Sequence, residues 1–431
     1  MKKNKPTKPT KPTKPTKPTK PTKPTKPTRD KFSILRQVCN LIPTFLVPKL
    51  AREKGIDKQA RTFSPWSHLI TLIYAQLTHS ISLNDVCDGL RLNRGDLSTL
   101  RGATPPSRNN LSHANRNRDA SFAEELFWKV LNHLQELKPQ FARGRGRPLR
   151  RFKRTIHAVD SSTIKLIMSC FSWAQHRRRK AAAKLHLRLN LQSFLPGYAV
   201  VDKAKGHDNL KARELCLGLK AGEIVVFDMA YVAYQHLDEL TQRGIWWVSR
   251  VPARTACRVV KKLQGKAKRK ILKDELIRLT GPKSKKLYPA NLRRVVALVE
   301  VDGKEVEMEF LTNNLQWSPQ SIADLYKCRW QIEVFFKQIK QTLQLADFLG
   351  NNFNAVKWQI WTALLTYLLL RYMAFLSQCT QSYARVWAVV RSGLWKKVDL
   401  PDLLRSWCGT AGRPIRFRAA PEQAYLPGFS T

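Results

Sequence analysis

Apolar residues recur every three or four positions from Phe32 to about Leu137, in FSILRQVCNLI, WSHLITLIYAQL and FAEELFWKVLNHL, with Pro105 and Pro106 among the breakers between them. That period predicts amphipathic helices and a small all-α unit over residues 31–140. The period then changes. RTIHAVDSSTIKL (154–166) alternates apolar and polar side chains as a half-buried strand does, with Asp160 in its middle; KLHLRLNLQ and GYAVVDKAK follow as strand-like runs joined at Pro196-Gly197. Together these predict an antiparallel meander. NLKARELCLGLK reads as a helix, Glu223 to Phe227 as a short buried strand ending at Asp228, and Val232 to Arg243 as a helix closing at Gly244. IWWVSRV, RRVVALVEV and EVEMEFLTN alternate again, separated by KKLQGKAKRK and GPKSKKL, which read as basic turns. VKWQIWTALLTYLLLRYMAFL (356–376) is apolar almost throughout, but Lys357, Gln359 and Arg371 interrupt it, so a buried helix fits better than a membrane span.

Composition narrows the partners. The 431 residues carry a formal net charge of +46 and a sequence pI of about 10.4, with 43% hydrophobic residues. Such a balance fits a folded protein that meets a polyanion, nucleic acid first. Residues 5–28 are eight Lys-Pro-Thr repeats, which have nothing to bury and predict an extended, disordered tail over 1–30. Residues 1–29 hold 11 of the basic residues and no acid, which leaves +35 on the chain from Asp30 onward. SLNDVCDGL followed by PPSRNNLSHANRNRD has the rhythm of a short helix, a turn and a basic helix. Ser107, Arg108, Asn109, Asn110, His113, Asn115, Arg116 and Arg118 suit phosphates and base edges, although a polar interhelix loop fits the pattern equally. RGRGRPLRRFKR marks a basic linker at 141–154, and residues 381–431 read as a basic C-terminal region. Eight scattered cysteines form no metal or disulfide pattern, and the N-terminus shows no secretory h-region, so a reducing cytoplasm is expected.

YKCRWQIEVFFKQIK, residues 326–340, carries the chemistry. As one helix it places Tyr326, Arg329, Glu333 and Lys340 within roughly 60° of one another, while Leu325, Cys328, Ile332, Phe335, Phe336 and Ile339 form an apolar stripe elsewhere on the wheel. Spacing alone also fits a salt-bridged surface helix, because Arg329 and Lys337 both stand four residues from Glu333.

Tyr-x2-Arg-x3-Glu-x6-Lys resembles the Y-R-E-K signature of the DDE transposases of the insertion sequence 4 family. The resemblance implies two upstream aspartates, and Asp160 and Asp228 stand on the expected strands; Asp228-Met-Ala-Tyr231 is similar to the family's D-x-(G/A)-(Y/F) motif. Strand, strand, strand, helix, strand is the order of a ribonuclease-H-like α/β core, placed at 155–380 and interrupted by a β-rich insertion at about 250–315. Lys184, His186 and the pair His207-Asp208 match weaker K-x-H and H-D motifs. Three acids in one cleft need cations, and hard oxygen ligands favour Mg²⁺, with Mn²⁺ as a substitute. The resemblance implies Asp160, Asp228 and Glu333 as metal ligands for DNA cleavage and strand transfer. It implies Tyr326, Arg329 and Lys340 as phosphate grips, and a homodimer on paired element ends. Arg108, Asn110, His113, Arg116, Lys184 and His186 are further candidates for DNA contact. A plain metal-dependent nuclease of the same fold and an inert basic DNA-binding protein are the alternatives. The hairpin-forming relatives' base-holding tryptophan has no counterpart near Met308, so that route stays open.

Overall fold

The structure is a computed structural model that describes residues 29–143 except 59, 152–166, 175–177, 180–203, 208–251, 255–263, 270–301, 303–343 and 349–406. The Lys-Pro-Thr repeats, most of the basic linker, His207 and the residues beyond 406 lie outside the described residues, and so do the expectations placed on them.

The helical unit is built from α1 (Ile34–Cys39), α2 (Leu46–Glu53), α3 (Pro65–Thr78), α4 (Leu83–Leu92), α5 (Arg94–Ser98), α6 (Arg108–Asn117), α7 (Ser121–Leu137) and α8 (Pro139–Arg143). Serines start many of these helices. The hydroxyls of Ser33, Ser64, Ser82 and Ser107 each accept a first-turn N–H, and Ser82 with Asp85 completes a capping box. Helix α3 is buried along nearly its whole length because its apolar positions run around the cylinder.

Strand β1 (Ile156–Leu166) lies inside a ten-stranded sheet. It pairs antiparallel with β3 (Lys180–Asn190), and β3 pairs antiparallel with β4 (Leu195–Lys203); the short β2 (Gln175–Arg177) borders β3. On its other side β1 runs parallel to β5 (Ile224–Phe227), which runs parallel to β6 (Trp246–Arg250). The helix expected before β5 is present as α9 (Asp208–Leu215) and the one after it as α10 (Tyr234–Gln242). The strand, strand, strand, helix, strand order of the sequence is therefore one continuous mixed sheet.

Several details differ from the expected ones. The β3–β4 chain reversal occurs at Leu191–Phe194, where Phe194 takes a left-handed φ of 58°, and Pro196-Gly197 sit within β4 beside a bulge. The insertion does not stand apart: β10 (Lys304–Thr312) pairs with β6, and β9 (Leu292–Val301), β8 (Ile271–Leu279) and β7 (Cys257–Lys262) extend the same sheet. GPKSKKL is helical rather than a turn, because Pro282 starts α11 (Pro282–Leu287). The seam between β8 and β9 is tied by a buried Arg293–Asp274 pair at 2.7 Å, and Arg293 also donates to the carbonyls of Leu315 and Trp317.

Alternation along the strands sorts side chains onto two faces. Ala158, Val226 and Val248 belong to the larger core, which continues into the helical unit. Val159, Val225, Phe227 and Trp247 face a second core with Ala212, Leu215, Leu237 and Leu240 of α9 and α10. The larger core is closed by α12 (Pro319–Cys328), α13 (Trp330–Thr342) and the buried α14 (Phe353–Leu376). Helix α14 is long and apolar enough to cross a membrane, yet 78% of its most apolar window is buried inside the protein. Trp358 and Trp361 of α14 contact Phe122 and Phe127 of α7, so the helical unit and the sheet share one core. The C-terminal segment is more than a basic tail: α15 (Tyr383–Ser392) and α16 (Leu400–Ser406) return to α1, where Gln37 hydrogen-bonds Val398 and Leu400 at 2.7 and 2.8 Å.

Candidate active site

Asp160 and Asp228 are neighbours by register. Val159 pairs with Phe227 on parallel strands, and the next residues, Asp160 and Asp228, leave the carboxyl ends of that pairing on the same face as Ala158 and Val226. That face is the one covered by α12 and α13. The stretch expected as one helix is two, because Arg329 ends α12 and starts α13, with its N–H returning to the Tyr326 carbonyl at 3.0 Å. The kink keeps the backbone of Arg329 helical, with φ of −54° and ψ of −34°, and its side chain still points to the sheet.

Arg329 joins two of the three acids. Its Nη1 donates to Asp160 Oδ2 at 2.9 Å and its Nη2 to Glu333 Oε1 at 2.7 Å. The side chain of Arg329 is 8% exposed, that of Asp160 16% and that of Glu333 39%, so the pair with Asp160 is the more deeply enclosed. Asp228 is reached from the same helix: Tyr326 donates its hydroxyl to Asp228 Oδ1 at 3.4 Å. Lys340, at the far end of α13, donates to the Thr163 carbonyl of β1 at 2.8 Å.

The electrostatics follow. Burial pushes the Asp160 carboxyl up to about 6, against the pull of Arg329 and the Ser161 N–H, with the negative charges of Asp228 and Glu333 adding to the rise. Burial disfavours the charged form of Arg329, but Tyr326 and the three acids more than offset it and hold the guanidinium protonated. Burial raises the Tyr326 phenol, and Asp228 adds to the rise.

The donor set fits a hard divalent cation in kind, because it consists of carboxylate oxygens whose mutual repulsion calls for positive charge. A positive group already lies between two of them. With Arg329 there, no group of three His, Cys, Asp or Glu side chains among the described residues is gathered tightly enough to hold one ion.

The expected phosphate grips sit differently from the open stripe read in the sequence. Tyr326 is buried against the Phe310 ring at 5.0 Å, and Arg329 is engaged by carboxylates. Lys184 and His186 fall on the opposite sheet face, because Asp160 pairs with Leu187 while His186 pairs with Ser161. His186 is buried, with Nδ1 3.1 Å from the Tyr231 hydroxyl, which removes it from any DNA-facing surface. On α6, Arg108, Asn110, His113 and Arg116 are exposed. Asn115 is buried on His68, and Arg118 is turned inward to the carbonyls of Phe63 and Ser64.

One residue escaped the sequence reading. Ser249 pairs with Phe227, so Arg250 stands beside Asp228 as Asp228 stands beside Asp160; it is exposed and its charge acts on the Tyr326 phenol. The signal was its place at the end of the parallel strand after β5, visible only once the register is known.

The profile of the transposase DDE domain matches residues 151–369, just over half of the chain, and contains all of these residues. The chain belongs to the DDE transposases of the insertion sequence 4 type. A Sinorhizobium fredii relative, y4zB, is 29% identical over 321 residues, covering 74% of this chain and 84% of its own. The transposase for insertion sequence element IS231E of Bacillus thuringiensis is 24% identical over 360 residues, 72% of each chain. The transposase InsG for insertion sequence element IS4 of Escherichia coli is 27% identical over 198 residues, covering 44% of this chain and 43% of its own. Residues 31–100 match a family described as a domain of unknown function. As a DDE transposase the chain is an enzyme that cleaves and joins DNA, and its family depends on divalent metal ions.

Proposed function

We propose that the transposase binds the ends of its insertion sequence, cuts their phosphodiesters at Asp160, Asp228 and Glu333, and joins the 3′ ends to target DNA. The observation that carries this reading is the shared guanidinium: one buried Arg329 spans Asp160 and Glu333, while Tyr326 from the same helix pair reaches Asp228. Asp160, Asp228 and Glu333 would hold two Mg²⁺ ions, with Mn²⁺ as a substitute, whose positive charge would supply activation of the attacking oxygen and stabilisation of the leaving one. The protein's own part is positioning. Strands β1 and β5 fix two carboxylates side by side, and α13 carries the third across from them.

Arg250, exposed beside Asp228, would hold a DNA phosphate at the edge of this site. Arg329 would join it on release from Asp160 and Glu333, as Lys340 would on release from the Thr163 carbonyl, while Tyr326 holds Asp228. A homodimer on paired ends is the acting species, since both ends must be cut together. The experiment is incubation of purified protein and Mg²⁺ with a supercoiled plasmid carrying the DNA that flanks the gene. Joined products are expected, with none from Asp160→Asn or Glu333→Gln. Cut but unjoined plasmid would reduce the activity to that of a nuclease, and intact plasmid retarded in a gel would leave a binding protein.

A further inference from the structure

The exposed face of α6 has a composition that solubility does not explain. At about 100° per residue, Asn109, Asn110, His113, Arg116 and Asn117 fall within an arc of about 120°, with Arg108 about 80° outside it at the first position of the helix. All six are exposed, while Leu111, Ala114 and Asn115 are buried on the other side. Helices α2, α4, α5 and α7 carry acids, among them Glu53, Asp85, Asp96 and Glu124. The sequence of α6 has none. Asn is one of the poorer helix formers, and a face with no duty beyond solvation is usually built from Lys and Glu. No hydrogen bond or ion pair joins these six side chains to another described residue.

The inner side of the helix is held firmly. Ser107 caps its start by accepting the Asn110 N–H at 3.1 Å, and Asn115 meets buried His68 at 2.9 Å. From α14, Asn354 donates to the carbonyls of Asn115, Arg116 and Arg118 at 3.0, 3.2 and 2.6 Å, and the Trp358 indole donates to Arg118 at 2.7 Å. The same α14 lies behind the helices that bear Arg329 and Glu333. Helix α6 is thus presented outward by a clamp that belongs to the catalytic core.

We infer that α6 is the element that reads base sequence in duplex DNA, lying in the major groove. The inference rests on the transposase reading above and adds where the end sequence is recognised. Each Asn amide offers one acceptor and a donor pair, which match N7 and N6 of adenine; Arg116 and His113 suit the acceptors of guanine, and Arg108, outside the arc at the start of the helix, suits a phosphate. An acid-free face on a strongly basic chain does not repel the phosphates that flank a groove.

The test uses the full chain and a pool of randomised duplexes. After rounds of selection, affinity for the enriched duplex and for a scrambled one is measured by fluorescence anisotropy for wild type, Asn110→Ala, His113→Ala and Arg108→Ala. Thermal melts check that each variant is folded. Wild type should enrich one motif. Asn110→Ala and His113→Ala should each lose about tenfold or more on that motif with little change on the scrambled duplex. Arg108→Ala should weaken both alike and lower the salt slope by about one. Failure of wild type to enrich any motif, or survival of motif and affinity in both substitutions, overturns the inference. A chain that cuts and joins DNA but reads it elsewhere keeps the transposase reading and loses this one; enrichment of an α6-dependent motif without cutting does the reverse.

Discussion

Replacing Arg329 by Met keeps the bulk of the side chain and removes its charge, which isolates what the guanidinium does for the acids. Asp160 is enclosed, so stripping it of its cation leaves an almost buried carboxylate uncompensated, a change that costs about 3–5 kcal/mol in buried pairs. Glu333 is 39% exposed, and water screens its arm of the bridge to no more than about 1 kcal/mol. The carboxylate of Asp160 keeps some contact with water, so the low end applies and the expected loss is about 3 kcal/mol near neutral pH. Its pH dependence has a definite sign. An acid whose folded pKa is raised to about 6 from 3.8 destabilises the fold as pH climbs through that window, and loss of Arg329 moves the folded pKa further up. The gap between wild type and Arg329→Met should therefore be small at pH 5 and wide at pH 7, and millimolar Mg²⁺ should narrow it at pH 7. Urea unfolding of the full chain at both pH values, with and without Mg²⁺, measures all of this. A deficit that is absent at pH 7, or the same at both pH values, would mean that the guanidinium does not neutralise converging carboxylates.

Other outcomes follow from the same reasoning. His68 is buried and its pKa is pushed down to about 3 by burial, so the unfolded chain takes up the proton first as pH falls. Between pH 7 and pH 5 this removes about 2 kcal/mol, and His68→Gln should flatten the difference in melting curves over that range. Arg293→Ala leaves Asp274 buried without its partner and frees the Leu315 and Trp317 carbonyls; a loss of about 3–5 kcal/mol is expected in urea unfolding, against near-zero for exposed Arg258→Ala. Glu333→Gln should bind DNA as wild type does in a gel-shift assay while failing to nick it, and loss of binding would make the glutamate structural.

The signature residues were legible because their spacing is local. Three-, four- and seven-residue steps survive any tertiary arrangement, so Tyr326, Arg329, Glu333 and Lys340 could be picked out from the sequence alone. What each touches was not legible. A helix wheel cannot show that Arg329 sits at a kink, or that the Tyr326 ring is packed under Phe310, because both depend on the distance from α12 to a sheet formed by distant segments. Strand parity explains the misplaced pair Lys184 and His186: the motif puts them near the acids in sequence, while the β1–β3 register turns them to the other face. Arg250 is the converse, ordinary in sequence and adjacent to Asp228 in register. Alternation marks the insertion strands β9 and β10 but not β7 (CRVVKK) or β8 (ILKDELIRL), which mix apolar and charged residues, and nothing local announced that they would lengthen the central sheet.

Iron-directed cleavage asks most directly whether the three acids meet around common ions. Fe²⁺ with ascorbate and peroxide cuts the polypeptide backbone next to wherever the ion is bound. Cuts beside residues 160, 228 and 333 together, suppressed by excess Mg²⁺ and lost in Glu333→Gln, are expected. Cutting confined to one of these positions, or at sites that Mg²⁺ does not protect, would contradict a shared metal centre.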